Sequence, residues 1–169
     1  MYGDSAIGLS FEYPAEWELQ IDSSAFELED GRIINSFNGN IHQKEYSENF
    51  DANIRFYNNP IFDEASSTME KAGYILENLP IAEQMKHVKC LPGNEWVISC
   101  EELINRNGVT YVKRIRRATP IEGGVWDRSI EAIIPTGKYI MTFDIISSYV
   151  PTQEVIDTFD QVIDSIKLE

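Results

Sequence analysis

Apolar and polar residues alternate in two short segments near the start of the chain, residues 9–13 and 17–21, with Pro14 between them. A period of two residues is typical of strands that bury one face. A three-residue loop starting at Pro14 would bring the apolar side chains of both segments onto one face, whereas a two-residue loop would mix the faces. We therefore predict a hairpin with these opposed pairs: Tyr13 with Trp17, Phe11 with Leu19, and Leu9 with Ile21.

Turn residues divide the next part of the chain into further strands. Asp30-Gly31 and Asn38-Gly39 are strong turn signals, because these residue types adopt left-handed backbone conformations readily. They predict short strands at residues 32–37 and 40–46, and another strand is predicted at residues 52–58.

Two hairpins are predicted in the second half of the chain. Asn107-Gly108 is a typical hairpin turn, and it would join residues 94–103 to residues 109–118. A loop at Thr136-Gly137 would join the segments on either side of it so that their apolar faces agree. The opposed pairs predicted there are Ile134 with Tyr139, Ala132 with Met141 and Ile130 with Phe143.

Two segments have the period of an amphipathic helix. Residues 63–79 repeat apolar residues at spacings of three and four, with Asp63 as the predicted N-cap and Pro80 as the end. Residues 153–167 carry a wide apolar stripe with aspartates opposite; Pro151 or Thr152 opens this helix and Lys167 lies near its C-terminal end. The stripe comprises Val155, Ile156, Phe159, Val162, Ile163 and Ile166.

About seven to nine strands, mostly joined by hairpins, and two helices are predicted in total. Hairpin-linked strands are antiparallel, and the terminal stripe is wide enough to cover a sheet face. We therefore predict the α+β class, with helices packed on an antiparallel sheet. A length of 169 residues is that of a single domain, taken as residues 1–169.

The composition narrows the classes of partner. A formal net charge of −14 disfavours binding to nucleic acid and to anionic membrane surfaces, because both are negatively charged. The sequence has no apolar run of about 18 residues and no signal-peptide pattern, so we expect no transmembrane helix.

The two cysteines, Cys90 and Cys100, are expected to be free thiols. Residues 87–90 read as a strand that turns at Pro92-Gly93 and pairs with the next strand. That register would place Cys90 opposite Glu95, several residues away from Cys100 and too far for a disulfide. Buried free thiols are therefore favoured over a disulfide.

The sequence contains no recognisable catalytic motif, and we predict no catalytic residue, no bound metal and no cofactor. His87 and Cys90 are three residues apart and would point to opposite faces of a strand, which makes them a poor metal pair. Residues 27–31 could offer calcium ligands but lack the spacing of a known calcium loop.

Basic residues cluster on the strand that follows Asn107-Gly108. In the hairpin register Glu101 would face Arg114 and Glu102 would face Lys113, so that cross-strand pairs neutralise these charges. The alternative is a basic patch that binds an acidic ligand or partner, formed by Arg114, Arg116 and Arg117.

The segment "FEYPAEW", residues 11–17, together with the terminal helix pattern resembles the PsbP-like fold family. In the terminal helix the resemblance rests on Phe159, Val162 or Ile163, Ser165 and Ile166. The family includes a photosystem II extrinsic subunit, a Ran-binding import factor and bacterial lipoproteins of unknown role. The resemblance implies an antiparallel sheet between helices, an α/β/α sandwich, and it implies no catalytic residues because the family shares none.

The resemblance also sets the functional expectation. It implies a non-catalytic module that binds or assembles with another protein and that is exported and lipid-anchored at a bacterial cell surface, with a cytoplasmic location as the alternative. The alternative functions are a small-ligand or calcium-binding protein and a hydrolase that works through carboxylates.

Overall fold

A computed structural model of the chain describes residues 2–4, 7–27, 31, 33–43, 53–58, 78–88, 90, 96–117, 125–147 and 149–169. Ten strands and two helices lie within these ranges. The strands are β1 (Tyr2–Asp4), β2 (Leu9–Phe11), β3 (Trp17–Glu27), β4 (Ile33–Gln43), β5 (Asn53–Asn58), β6 (Val97–Ile104), β7 (Thr110–Arg117), β8 (Arg128–Pro135), β9 (Ile140–Ile146) and β10 (Lys167–Leu168). The helices are α1 (Ile81–Val88) and α2 (Gln153–Ser165).

The described strands form two antiparallel sheets. The larger sheet has seven strands in the order β3-β4-β5-β9-β8-β7-β6, and the smaller one has the order β1-β2-β10. Every strand pair is antiparallel. The prediction of the α+β class, an antiparallel sheet with helices, is therefore confirmed.

One face of the large sheet carries the main core. Alternate residues of its strands pack there against the small sheet and against the apolar stripe of α2. The predicted terminal stripe is confirmed, since Phe159, Val162 and Ile166 have no accessible surface. The side chain of Thr152 caps the helix by accepting a hydrogen bond from Val155 N. The helix ends at Ser165, so Lys167 belongs to β10 and not to the last helical turn.

The opposite face of the large sheet is partly covered by α1. Met85 and Val88 pack on Val112, Ile133 and Ile140 in a second, smaller apolar cluster. The two helices therefore lie on opposite faces of the sheet. Of the residues predicted as a strand at 87–90, His87 and Val88 instead form the last turn of α1 and Cys90 lies just beyond it. The helix predicted at 63–79 lies outside the described residues apart from its last two positions.

The expectation of free thiols is wrong, because Cys90 and Cys100 form a disulfide with their Cα atoms 5.6 Å apart. The prediction failed because it assumed a tight hairpin around Pro92-Gly93. Residues 81–88 instead form the helix α1, which packs on the same face of the sheet as Cys100. Cys90 follows this helix and therefore lies close to Cys100 on β6. The disulfide fastens the end of α1 to the edge of the large sheet.

The predicted hairpin of residues 9–13 with 17–21 is also wrong, although its turn and most of its buried residues are correct. Trp17 N donates to Pro14 O at 3.0 Å, so the chain does turn there. However, β2 pairs with β1 and β10, while β3 pairs with β4. The turn passes the chain from one sheet to the other. Leu9, Phe11 and Trp17 are buried between the sheets, whereas Ile21 is 37% exposed.

The described parts of the strands predicted at 32–37 and 40–46 form one continuous strand, β4, and Asn38-Gly39 is not a turn. Gly39 lies opposite Phe56, and a side chain at Gly39 would overlap the Phe56 ring. Glycine is needed here for close packing of an aromatic ring over the backbone. Of the turn predicted at Asp30-Gly31, only Gly31 lies within the described residues; it has a φ of +80° and lies between the paired strands β3 and β4.

Both predicted hairpins of the second half exist, but their registers differ from the predictions. The first has a five-residue loop, closed by Asn105 N donating to Val109 O at 3.0 Å, and this shifts the pairing by one residue. The second has a four-residue loop that shifts the pairing by two, so that Ile134 faces Met141 and Ala132 faces Phe143. In the second hairpin, the shift of two residues keeps the predicted apolar side chains on the same face. In the first hairpin, the shift of one residue changes which charged side chains lie opposite each other.

Candidate functional site

The three arginines named as an alternative basic patch, Arg114, Arg116 and Arg117, lie on two different faces of β7. Regular pairing of β7 with β8 keeps the side chains alternating, so Arg114 and Arg116 share one face and Arg117 points to the other. Arg114 and Arg116 lie on the face that α1 partly covers. The three arginines therefore do not form one patch.

Arg114 and Arg116 converge on the buried carboxylate of Glu131 in β8. Arg114 donates to Glu131 Oε2 from Nε at 2.9 Å and from Nη2 at 2.7 Å. Arg116 Nη1 lies 3.4 Å from Oε1, which also accepts a hydrogen bond from Ser129 Oγ at 3.0 Å. The side chain of Glu131 is 9% exposed, so the arginines compensate a charge that burial alone would make costly.

A second ion pair of the same kind lies beside it on β5 and β9. Arg55 donates to Asp144 from Nε to Oδ1 at 3.1 Å and from Nη2 to Oδ2 at 2.6 Å, a bidentate arrangement. Tyr57 OH donates to Oδ2 at 3.3 Å, and the Arg55 guanidinium stacks over the Tyr57 ring, 4.6 Å from its centroid.

Burial and the neighbouring charges both shift the pKa values of these groups, and at Asp144 the effect of burial outweighs that of the salt bridge. Burial raises the pKa of the Asp144 carboxyl above its ordinary value, and the hydrogen bonds and charge of Arg55 only partly offset that effect. Burial alone would lower the pKa of Arg55, but its hydrogen bond to Asp144 and the negative charge there raise it. Burial, followed by the charge of Asp144, raises the pKa of the Tyr57 phenol, so Tyr57 stays protonated.

The two ion pairs belong to a single row that crosses the sheet. Register pairs place six residues, one from each of six adjacent strands, side by side on the same face. The row consists of Asn40, Arg55, Asp144, Glu131, Arg114 and Cys100. Its two adjacent carboxylates are flanked by arginines on both sides, so the charges of the row are balanced within the fold.

The predicted pairing of Glu101 with Arg114 and of Glu102 with Lys113 is wrong, because the register is shifted by one residue. Cys100 lies opposite Arg114, which bonds to Glu131 instead. Lys113 points to the other face and contacts Asp160 of α2 at 2.6 Å. Glu101 and Glu102 are both exposed on β6.

The remaining arginine, Arg117, lies at the end of β7 directly opposite Arg128 of β8. Like charges in this position repel each other. Arg128 Nε is 3.8 Å from the carboxylate of its neighbour Asp127, which is longer than a hydrogen bond, and 55% of the Arg128 side chain is exposed. Arg117 is also exposed. This is a positively charged location in a chain whose net charge is −14.

The adjacent strand, β6, is an edge of the large sheet and exposes apolar side chains. The exposed fractions are 47% for Ile98 and 70% for Ile104, and Trp96, directly before the strand, is 54% exposed. The other edge, β3, instead exposes Glu18, Gln20 and Asp22 over much of its length. β6 also exposes Glu101 and Glu102, and β3 also exposes Ile21, so the two edges differ mainly in that β6 presents isoleucine side chains that are about half exposed or more.

Sequence reasoning missed Arg55, Glu131, Asp144 and Arg128. A signal was present, since Glu131 and Asp144 are single acids inside strongly apolar strands, and such residues are rarely buried unless they are paired. Their partners could not be identified without the strand order, because Arg55 and Asp144 are 89 residues apart in the sequence.

Within the described ranges, no group of three or more His, Cys, Asp and Glu side chains is arranged to hold a metal ion. His87 is exposed on α1 and Cys90 is held in the disulfide, so these two residues do not act as a ligand pair. Neither described helix has the length and apolar character to cross a membrane.

Comparison with known proteins identifies one distant structural neighbour. No family model matches the chain, and no curated protein matches it either. A crystal structure of a protein from Bacteroides thetaiotaomicron aligns with a TM-score of 0.48 and 16% sequence identity. The alignment covers 97% of this chain and 46% of that one, so the present chain spans about half of that protein's length.

Proposed function

We propose that this chain is a non-catalytic protein-binding or assembly module with the α/β/α sandwich of the PsbP-like family, and that it is part of an exported bacterial lipoprotein. The observation that carries the proposal is the apolar edge strand β6, with Ile98, Ile104 and the adjacent Trp96 exposed to solvent. The binding mode would be addition of an extended partner segment to this edge.

The physical reason lies in the chemistry of sheet edges. An edge strand presents unpaired backbone N–H and C=O groups, and proteins that need no partner usually protect such edges with charged residues or a covering element. The polar edge β3 follows that rule. β6 carries the exposed charges of Glu101 and Glu102 but also exposes Ile98 and Ile104, and this exposed apolar surface supports a role in contact with another protein.

The balanced charges on the sheet face support a non-catalytic role. Glu131 and Asp144 are the buried acids that a carboxylate-dependent hydrolase could use, but each accepts short hydrogen bonds from an arginine. Both carboxylates are therefore already held in ion pairs within the fold.

Two further observations support the family and the compartment. The helices lie on opposite faces of the large sheet, as a sandwich requires, and the terminal helix has the apolar pattern on which the resemblance rests. The Cys90–Cys100 disulfide supports an oxidising compartment outside the cytoplasm, where such bonds persist.

Site-specific photocrosslinking tests the proposal. A benzophenone amino acid is placed at Ile98 or Ile104 on β6, and at Gln20 on the opposite edge as a matched control, and each protein is incubated with membrane extract of the organism that makes it. We expect one discrete crosslinked protein from both β6 positions and none from Gln20. The variant Ile98→Asp should abolish the crosslink at Ile104 without lowering the melting temperature.

Identical products from both edges, or no product from β6, would contradict the proposal. If the chain hydrolysed a carboxylic ester or a glycoside, and Glu131→Gln lost this activity with the fold intact, the hydrolase alternative would replace the proposal.

A further inference from the structure

We propose that β6 binds an extended segment of a partner protein in which two apolar residues are followed by two basic residues. The inference rests on the proposed function, because it concerns a partner strand added to this edge. It adds the chemistry of the partner segment and its direction along the edge, which the exposed isoleucines alone do not specify.

The chemistry of β6 changes along the strand in the same way on both of its faces. Glu101 and Glu102 are consecutive and exposed, and they are followed by the half-buried Leu103 and the exposed Ile104. Successive side chains of a strand point to opposite faces, so each face of this edge carries one acid and then one apolar residue. A strand added to β6 would meet this same order on both faces.

The two carboxylates have no cation of their own within the described part of the fold. Lys113 lies opposite Glu101 in the register with β7, but its Nζ donates to Asp160 of α2 at 2.6 Å. Glu102 lies opposite the apolar Val112. Among the described residues, neither Glu101 nor Glu102 forms an ion pair.

Charge complementarity therefore favours basic side chains at this point of the partner. They would meet two unpaired carboxylates at close range, and the net charge of −14 would attract them at longer range. The neighbouring Leu103 and Ile104 favour apolar partner side chains, because contact removes apolar surface from water.

Antiparallel pairing sets the order of the partner residues. Every strand pair of the described chain is antiparallel, and this pairing is slightly more stable per residue than the parallel one. An antiparallel partner runs from Ile104 towards Glu101, so its apolar residues come first, beside Ile104 and Leu103. Its next two residues are basic and lie beside Glu102 and Glu101, one on each face.

A second copy of the chain does not have this chemistry. β6 itself contains no basic residue, so pairing of two β6 strands would leave the glutamates without cations. Each copy also carries a net charge of −14, which makes the two copies repel each other. The occupant is therefore a segment of a different protein.

Peptide binding to the full chain tests the inference. The probes are a fluorescent peptide with the central segment valine-valine-lysine-lysine and two matched peptides with glutamine or glutamate in place of lysine. Affinities are measured by fluorescence anisotropy for the natural chain, for Glu101→Gln/Glu102→Gln and for Glu101→Lys/Glu102→Lys. The control is Glu18→Gln/Asp22→Asn, which removes two exposed carboxylates from the opposite edge, β3, and so causes the same change in net charge.

We expect the lysine peptide to bind the natural chain about three- to tenfold more tightly than the glutamine peptide, because each exposed ion pair contributes modestly. This preference should disappear in Glu101→Gln/Glu102→Gln and persist in the β3 control, and Glu101→Lys/Glu102→Lys should prefer the glutamate peptide. Because the substituted residues are exposed, the melting temperatures of the two charge-removing variants should match that of the natural chain within about 2 °C.

Equal affinity for the lysine and glutamine peptides, no binding of either, or an equal loss of the preference in the β3 control would overturn the inference. Crosslinks from Ile98 and Ile104 to a protein of the membrane extract would still support the proposed function in that case, and their absence would refute it instead. Dimerisation of the chain in sedimentation experiments, abolished by Ile98→Asp, would identify a second copy as the occupant and would also overturn the inference.

Discussion

The loop between β6 and β7 should be essential for stability because Asn105 connects it to the end of α2. The last carbonyls of a helix have no partner within the helix. Asn105 Nδ2 donates to Ile163 O in the last turn of α2 at 3.1 Å and to the carbonyl of the residue that follows the helix, Ile166 O, at 2.8 Å. Its Oδ1 accepts from Asn107 N at 3.0 Å and from Val109 N at 2.9 Å, which shapes the loop.

Replacing Asn105 with alanine removes all four hydrogen bonds at a site that is only 7% exposed. Each such bond contributes about 0.5–1.5 kcal/mol net. Since Asn107 N can regain a bond to water, we expect the free energy of unfolding to fall by about 2–4 kcal/mol rather than by the full sum. For a chain of this length, that corresponds to a decrease in melting temperature of about 5–15 °C.

Urea denaturation followed by tryptophan fluorescence measures this change. Asn107→Ala is the matched control. In the natural chain Asn107 Nδ2 donates to Ser165 O and Ile166 O, but the side chain is exposed, so we expect the free energy of unfolding to fall by only about 0.5–1.5 kcal/mol. Asn105→Asp keeps the acceptor but turns a carboxylate oxygen towards two carbonyls, and should be at least as destabilising as alanine. If Asn105→Ala cost no more than Asn107→Ala, the assigned role of this loop would be refuted.

Three further predictions follow from the packing, the disulfide and the titration of Tyr57. Gly39→Ala should destabilise the fold by about 1–3 kcal/mol in urea denaturation, and Phe56→Leu in the same chain should recover part of the loss; additive effects would contradict their contact. Reducing the Cys90–Cys100 disulfide should cost about 2–3 kcal/mol, and rapid alkylation of both cysteines without reductant would disprove the bond. Tyr57 keeps its proton in the fold above its ordinary pKa of about 10, while the unfolded chain loses it, so stability should fall as the pH rises above about 10. In Tyr57→Phe this alkaline loss should be smaller, and an identical pH profile would contradict the raised pKa.

The arginines of β7 show which part of the candidate site could be predicted from the sequence. Arg114, Arg116 and Arg117 stand out in the sequence as a basic run, but alternation along β7 divides them between two faces. Arg128 becomes the neighbour of Arg117 only through the pairing of β7 with β8. A cluster of charge in the sequence therefore identified the strand but not the set of side chains that act together.

The register errors have a similar origin. Asn107-Gly108 correctly indicated a hairpin, but the loop has five residues because Asn105 folds back to bond within the loop and to the end of α2. The pairing thus depends on a helix 58 residues further along the chain. Local turn preferences could not include that contact.

The sequence by itself determined the strands of the second half, their buried faces, the terminal helix and the α+β class. These features follow from local periodicity, which records which side of each element is apolar. Only the tertiary structure decided that β2 joins a separate sheet, that Cys90 meets Cys100, and that two acids and two arginines form one row across the sheet. Strand partners, disulfides and buried ion pairs depend on contacts between distant residues, and periodicity specifies which face a residue occupies but not which residue lies opposite it.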